Sequence, residues 1–233
     1  MRESDGRPAS PNRLAPDAVI DFMDALHDAT GDTAYGECAD RAFAFFENGP
    51  MKTWNWEGQF EDVEATPPYV NLTKHPACSA AIRMLERWPD DEKRRQVARD
   101  IVRFAEDQFV CWERPFKIGE TRYNADYFER DFAVEPAVVE QYHYRAPVDA
   151  SAAKLILAYL ALHKAEGNPL DLAKARALGD AIARAQRPDG RIPTIWWPGA
   201  ADNLQNDWLN CIVRSATALQ ALADAETAKP AQA

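Results

Sequence analysis

Short and long connections alternate between the helices of this chain, and that alternation restricts it to few arrangements. Apolar residues recur at helical spacing over residues 16–28, 35–47, 76–87, 91–110, 149–165, 170–187 and 205–224, which predicts seven helices. The first, third and fifth joints are short, at Thr30 to Ala34, Trp88 to Asp90 and Glu166 to Pro169, whereas the second, fourth and sixth cover residues 48–75, 111–148 and 188–204. Connections of that length without structure of their own are uncommon in compact domains unless they carry function. Antiparallel neighbours place alternate joints at opposite ends of a helical layer, so all three long ones are expected on one face. That face would hold Trp54, Trp56, Trp112, Trp196 and Trp197, with Trp208 just beyond, while Trp88 stands alone at a short joint. One end of the molecule therefore reads as a place where something is held.

The helices sort into two kinds. Residues 149–165 run Asp-Ala-Ser-Ala-Ala-Lys-Leu-Ile-Leu-Ala-Tyr-Leu-Ala-Leu and are apolar nearly all round, which demands burial on more than one side. Residues 170–187 carry Leu172, Ala175, Leu178 and Ile182 on one stripe and Lys174, Arg176, Asp180 and Arg184 elsewhere, as a surface helix does. The third helix, with Ala77, Ala80, Ala81, Ile82 and Leu85, and the seventh, with Leu209, Ile212, Val213, Ala216 and Leu219, read as inner; the second and fourth, charged on one side, read as outer. Inner and outer helices in alternation predict an all-α fold of stacked hairpins, an α/α toroid or solenoid in which each hairpin buries its neighbour. A single hairpin domain is expected over residues 16–225, with disordered segments at 1–15 and 226–233.

Composition removes several classes of function. A formal net charge of −10 disfavours a nucleic-acid partner, which calls for a basic stripe. No run is apolar enough to span a bilayer, and the first residues lack the apolar core of a secretory signal. Cys38, Cys78, Cys111 and Cys211 are far apart and form no CxxC, which suits free thiols and a reducing, cytoplasmic setting. His75-x-x-Cys78 is the tightest ligand-like spacing and does not make a metal site, and no phosphate loop, GxSxG or HExxH occurs, so no cofactor is expected.

Two segments carry a resemblance. Pro147-Val-Asp-Ala-Ser-Ala-Ala-Lys-Leu-Ile, followed by an outer helix ending Ala185-Gln-Arg-Pro-Asp-Gly-Arg-Ile-Pro, resembles a hairpin of the six-hairpin glycosidase-like superfamily, and the Asp-x-Ser-Ala-Ala start is similar to that in unsaturated glucuronyl hydrolases. Gln186-Arg-Pro-Asp-Gly also resembles a turn in toroidal terpene cyclases, but their DxDD-type motif is missing. The resemblance covers residues 140–225 well and residues 16–110 by pattern alone. It implies a carbohydrate ligand. A six-hairpin barrel has twelve helices, so seven amount to about half a ring, to be completed by a second copy or by a missing N-terminal half.

Candidate chemistry lies on the long-connection face. Glu57, in Trp54-Asn-Trp-Glu-Gly, sits where indole rings raise a carboxyl pKa and stack on a sugar, the setting of a general acid; the bland reading makes the tryptophans a plug and Glu57 an ion-pair partner. A second cluster, Glu140-Gln-Tyr-His-Tyr-Arg-Ala-Pro-Val-Asp149, offers Tyr142 and His143 as proton-handling or orienting groups, Arg145 as a contact, and Asp149 as a second carboxylate or simply a helix cap. Asp207, beside Trp208, is the other candidate second carboxylate, with the same cap alternative. Cleavage of a glycosidic bond commonly uses two carboxylates. The leading reading is a glycoside-hydrolase-like enzyme with Glu57 as acid, Asp207 or Asp149 as partner, and Trp54, Trp56, Trp112, Trp196, Trp197, Trp208 and Arg145 binding an oligosaccharide, possibly one bearing uronates. A polysaccharide lyase using His143 or Tyr142 as base, and a non-catalytic module binding a glycan or protein, remain open alternatives.

Overall fold

The computed structural model describes residues 16–56, 72–113, 134–141, 147–196 and 208–227. They form α1 (Asp17–Thr30), α2 (Thr33–Asn48), the single turn α3 (Pro50–Thr53), α4 (His75–Arg87), α5 (Glu92–Phe109), β1 (Val110–Cys111), β2 (Ala137–Val138), α6 (Asp149–Glu166), α7 (Pro169–Ala185) and α8 (Leu209–Thr227). The seven long helices are those the periodicity predicts, with ends shifted by a few residues.

Local chemistry sets the short joints. Asp32 caps α2 by accepting from the Ala34 N–H at 2.9 Å, Asp91 caps α5 through the N–H groups of Lys93 and Arg94, and Asn168 caps α7 through that of Leu170 at 3.1 Å. Gly31 and Gly167 end α1 and α6 in the left-handed region, at φ 72° and 69°, where a side chain would be strained. These two joints are copies of one another. In each, a histidine four residues before the glycine aims Nδ1 at the carbonyl of the residue after it: His27 to Asp32 O at 3.0 Å, and His163 to Asn168 O at 2.8 Å. The pattern His-x-Ala-x-Gly-Asp/Asn thus marks a repeated hairpin turn.

Three hairpins, α1/α2, α4/α5 and α6/α7, stand side by side, and α6 also packs on α4 and α8. Helix α6 is central: Ala152, Ala153, Leu155, Ile156, Ala158, Tyr159 and Leu162 are all buried. Helix α7 buries a single stripe, chiefly Ala175, Leu178, Ala181 and Ile182. The inner row is α1, α4, α6, α8, backed by α2, α5 and α7, and one core runs from Ile20 to Leu222. Arg83 ties the first two hairpins together, reaching from α4 to Asp24 at 2.7 Å and Asp40 at 2.8 Å with its guanidinium against the Phe43 and Trp88 rings. An open groove of about 1050 Å³ runs along the inner helices.

The face of α8 that is buried differs from the expected one. Cys211, Ser215, Ala218 and Leu222 meet the core, whereas Leu209 is 75 % exposed and Val213 is also exposed. Helix α6 covers one side of α8, and no described element covers the other. Val19 and Phe22 of α1, at the opposite end of the row, are likewise exposed. Among the described residues, three hairpins and the single helix α8 stand in one row, with apolar residues showing on both end helices.

The described ends of the three long connections lie on one face, and the backbone joins them. Strands β1 and β2 pair antiparallel, Val110 with Val138 and Cys111 with Ala137. Single bridges link Thr73 to Gln141, Val139 to Pro147 and Val148 to Ile195, so the first connection is tied to the second and the second to the third. Each of α4, α6 and α8 begins directly beneath this joined layer. No helix among the described residues is long and apolar enough to cross a membrane.

Candidate functional site

The site is built where the long connections feed the inner helices. Thr73 donates its N–H to Trp56 O at 2.9 Å and pairs with Gln141, which fixes the residue after it. That residue, Lys74, is 1 % exposed; Nζ donates to Glu140 O at 2.6 Å and to Ser151 Oγ at 2.7 Å, and lies 5.4 Å from the Phe109 ring centre. Burial pulls the Lys74 pKa below the usual lysine value, and the nearby Glu140 charge opposes this. His75 opens α4, and its Nε2 is 2.9 Å from Nη1 of Arg214 on α8. Burial, with the cations Lys154, Arg214 and Lys74, pushes its pKa well below the ordinary histidine value.

Asp149 does not cap α6. Val148 holds the cap position without a side-chain bond, and the fully buried Asp149 carboxylate turns to accept from Ser215 Oγ at 2.8 Å. Burial raises its pKa to about 6, against the lowering effect of the Ser215 hydroxyl and the Ala150 N–H. Its backbone N–H reaches Thr194 O, and the Thr194 hydroxyl accepts from the Trp208 N–H at 2.9 Å, so the starts of α6 and α8 are locked through one residue of the third connection. Buried Cys78 and Cys211 have thiol pKa values pushed up to about 11, which keeps them protonated and weakly nucleophilic.

A cavity of about 70 Å³ opens here, lined among others by Lys74, His75, Glu140, Asn210, Arg214 and Trp208. Trp208 is 43 % exposed and presents indole surface at its edge. Trp54 is also exposed, beside Phe104, and Trp112 is half-buried. Trp56 and Trp196, expected as stacking platforms, are each 1 % exposed: Trp56 packs on Phe46, and the Trp196 indole N–H donates to Pro193 O at 3.0 Å. As placed, neither offers a ring face to a ligand. Glu57, Tyr142, His143, Arg145, Trp197 and Asp207 lie outside the described residues. Lys74, Ser151 and Arg214 were not singled out in the sequence as site residues, and Glu140 entered only as the first residue of the second cluster, because each takes its meaning from partners distant along the chain. The one local hint is Thr-Lys-His directly ahead of Pro76.

The described residues form inner/outer helical hairpins in the manner of an α/α toroid. Among solved structures, the chain is similar to a GH76 α-mannanase of Bacteroides thetaiotaomicron, with TM-score 0.63 and 13 % identity over 96 % of this chain and 56 % of that one. It is also similar to a glycoside hydrolase family 76 mannosidase of Bacteroides thetaiotaomicron VPI-5482, with TM-score 0.57 and 12 % identity over 94 % of this chain and 57 % of that one. The chain spans a little over half the length of each. No protein-family model matches it, and no curated protein sequence does.

Proposed function

We propose that this chain is carbohydrate-active and cleaves a glycosidic bond by general acid/base catalysis at the long-connection face. The observation that supports this most is the meeting of Trp56, Gln141 and Trp208 around Thr73 and its cavity. Trp56 is followed in sequence by Glu57, Gln141 by Tyr142 and His143, and Trp208 is preceded by Asp207. The proposed groups are the sequence neighbours of these three described residues, which supports the reading.

In this reading Glu57 is the acid. A second carboxylate must act at the sugar carbon. Asp149 does not line the cavity and is closed off behind Ser215, which favours Asp207 for that part. Trp208 supplies the stacking surface, while Tyr142, His143 and Arg145 orient the substrate. The two named neighbours, a mannanase and a mannosidase, make α-mannosidic glycans the first substrates to try. Four free thiols support action in a reducing compartment.

A second reading is a glycan-binding module that does not turn over by itself. The exposed Phe22 on α1 and Leu209 and Val213 on α8 favour it, since both ends of the half-ring offer apolar surface to further hairpins, from a second copy or an N-terminal half. Tryptophan-fluorescence titration against neutral and uronate-bearing oligosaccharides, with product analysis of each mixture, separates the two. Saturable binding with released product supports the enzyme, an unsaturated product turns the reading to a lyase, and binding without product supports the module.

A further inference from the structure

Among its described lining residues the cavity at the mouth carries more cationic than acidic side chains, although the chain has a formal net charge of −10. Its wall uses the first turns of three inner helices: His75 of α4, Ala150 and Ser151 of α6, and Asn210 and Cys211 of α8. A helix N-terminus presents about +0.5 of a charge. Asp149 offsets that of α6, but neither α4 nor α8 has an acidic residue in its first turn. Lys74 and Arg214 add two positive charges, and among the described lining residues Glu140 alone is acidic.

The two cations are not equivalent. Lys74 is engaged by the Glu140 carbonyl and the Ser151 hydroxyl. Among the described residues, the one hydrogen bond of Arg214 goes to the neutral His75 ring, which leaves N–H donors for an incoming acceptor. Asp21 is near enough to act on Arg214 through its field, yet forms no ion pair with it among the described residues. A space of about 70 Å³ takes a carboxylate-sized group but not a pyranose ring, and the exposed Trp208 indole at its edge suits the ring that would carry that group.

We infer that this cavity is an anion subsite that receives the carboxylate of a uronic acid unit, with Arg214 as its main contact, so that the chain prefers uronate-bearing glycans over neutral ones. The inference rests on the glycan reading above. A neutral mannose unit offers Arg214 only single hydroxyl acceptors, whereas a carboxylate accepts two of its N–H groups at once in charge-assisted bonds.

The test is a titration of the full chain with a short oligogalacturonide, with the same oligosaccharide as its methyl ester, and with a neutral manno-oligosaccharide of equal length. The acid is expected to bind about tenfold or more tighter than its ester, as loss of a charge-assisted bidentate contact implies. That margin should shrink with added salt and collapse in Arg214→Gln. Equal binding of acid and ester, with either saturable, overturns the subsite and leaves the glycan reading intact. Binding of none of the three overturns the glycan reading and the subsite with it. The acid-to-ester comparison on the unaltered chain decides the matter even if Arg214→Gln fails to fold.

Discussion

Arg214 donates one N–H to Nε2 of His75 across 2.9 Å, and this contact sets the state of the imidazole. A guanidinium only donates, so Nε2 must accept, and the ring is neutral with its proton on Nδ1. The same residues link the first turn of α4 to α8 beneath the long connections, which makes the pair part of the frame of the site.

The depressed His75 pKa has a signed consequence for stability. Between the lowered folded value and the ordinary unfolded value near 6.5, the unfolded chain binds more protons, so stability falls as pH drops through that window. His75→Gln should flatten this acid branch, read as a smaller change in denaturation midpoint between pH 7 and pH 5. An unchanged branch would mean that His75 titrates normally.

Asp149 works in the opposite sense. With its pKa raised to about 6 in the fold, the folded chain holds a proton that the unfolded one has lost above about pH 4, so stability falls as pH rises through pH 4 to 6. Asp149→Asn keeps an acceptor for Ser215 and removes the buried charge, so the variant should be more stable than the parent at pH 8, by on the order of 1–3 kcal/mol. The gain should vanish near pH 4, and denaturant titrations at the two pH values check it.

Arg83 is enclosed by Asp24, Asp40 and two aromatic rings. Arg83→Ala leaves Asp24 only the longer Arg87 contact at 3.6 Å and should cost about 2–3 kcal/mol of stability, less than a fully orphaned buried ion. Arg83→Lys should recover little of it, because an ammonium neither forks between two carboxylates nor stacks on two rings. Thermal or chemical melts of both variants give the comparison.

Gly179 lets α7 come close to α8: a Cβ there would lie 2.5 Å from Leu222 Cδ2. Gly179→Val should destabilise by about 1–3 kcal/mol through overpacking. Gly179→Ala should cost much less, since improved helix propensity opposes the clash and the Leu222 tip is flexible. Equal tolerance of both would show that the two helices do not meet as described.

The hairpin order and the common face of the described ends of the long connections were legible because period-3.6 stripes and short capped joints are local signals. Other features were not. Strands β1 and β2 are two residues each, too short for any alternation to show. Lys74 in a loop reads as solvated, yet Glu140 and Ser151, far along the chain, close over it. Asp149 before an apolar run reads as a cap, but the Ser215 hydroxyl of another helix claims it. Trp56 and Trp196 are large apolar side chains near a working face, and the core took both.

The most direct test of the proposed glycosidic cleavage is product analysis of the parent chain and Glu57→Gln on the oligosaccharide that titration shows to bind best. The account predicts shortened products from the parent, and from the variant retained binding with turnover reduced by several hundredfold or more, on the order expected for loss of a general acid. Undiminished turnover in Glu57→Gln, or no product from the parent on any bound glycan, would contradict it.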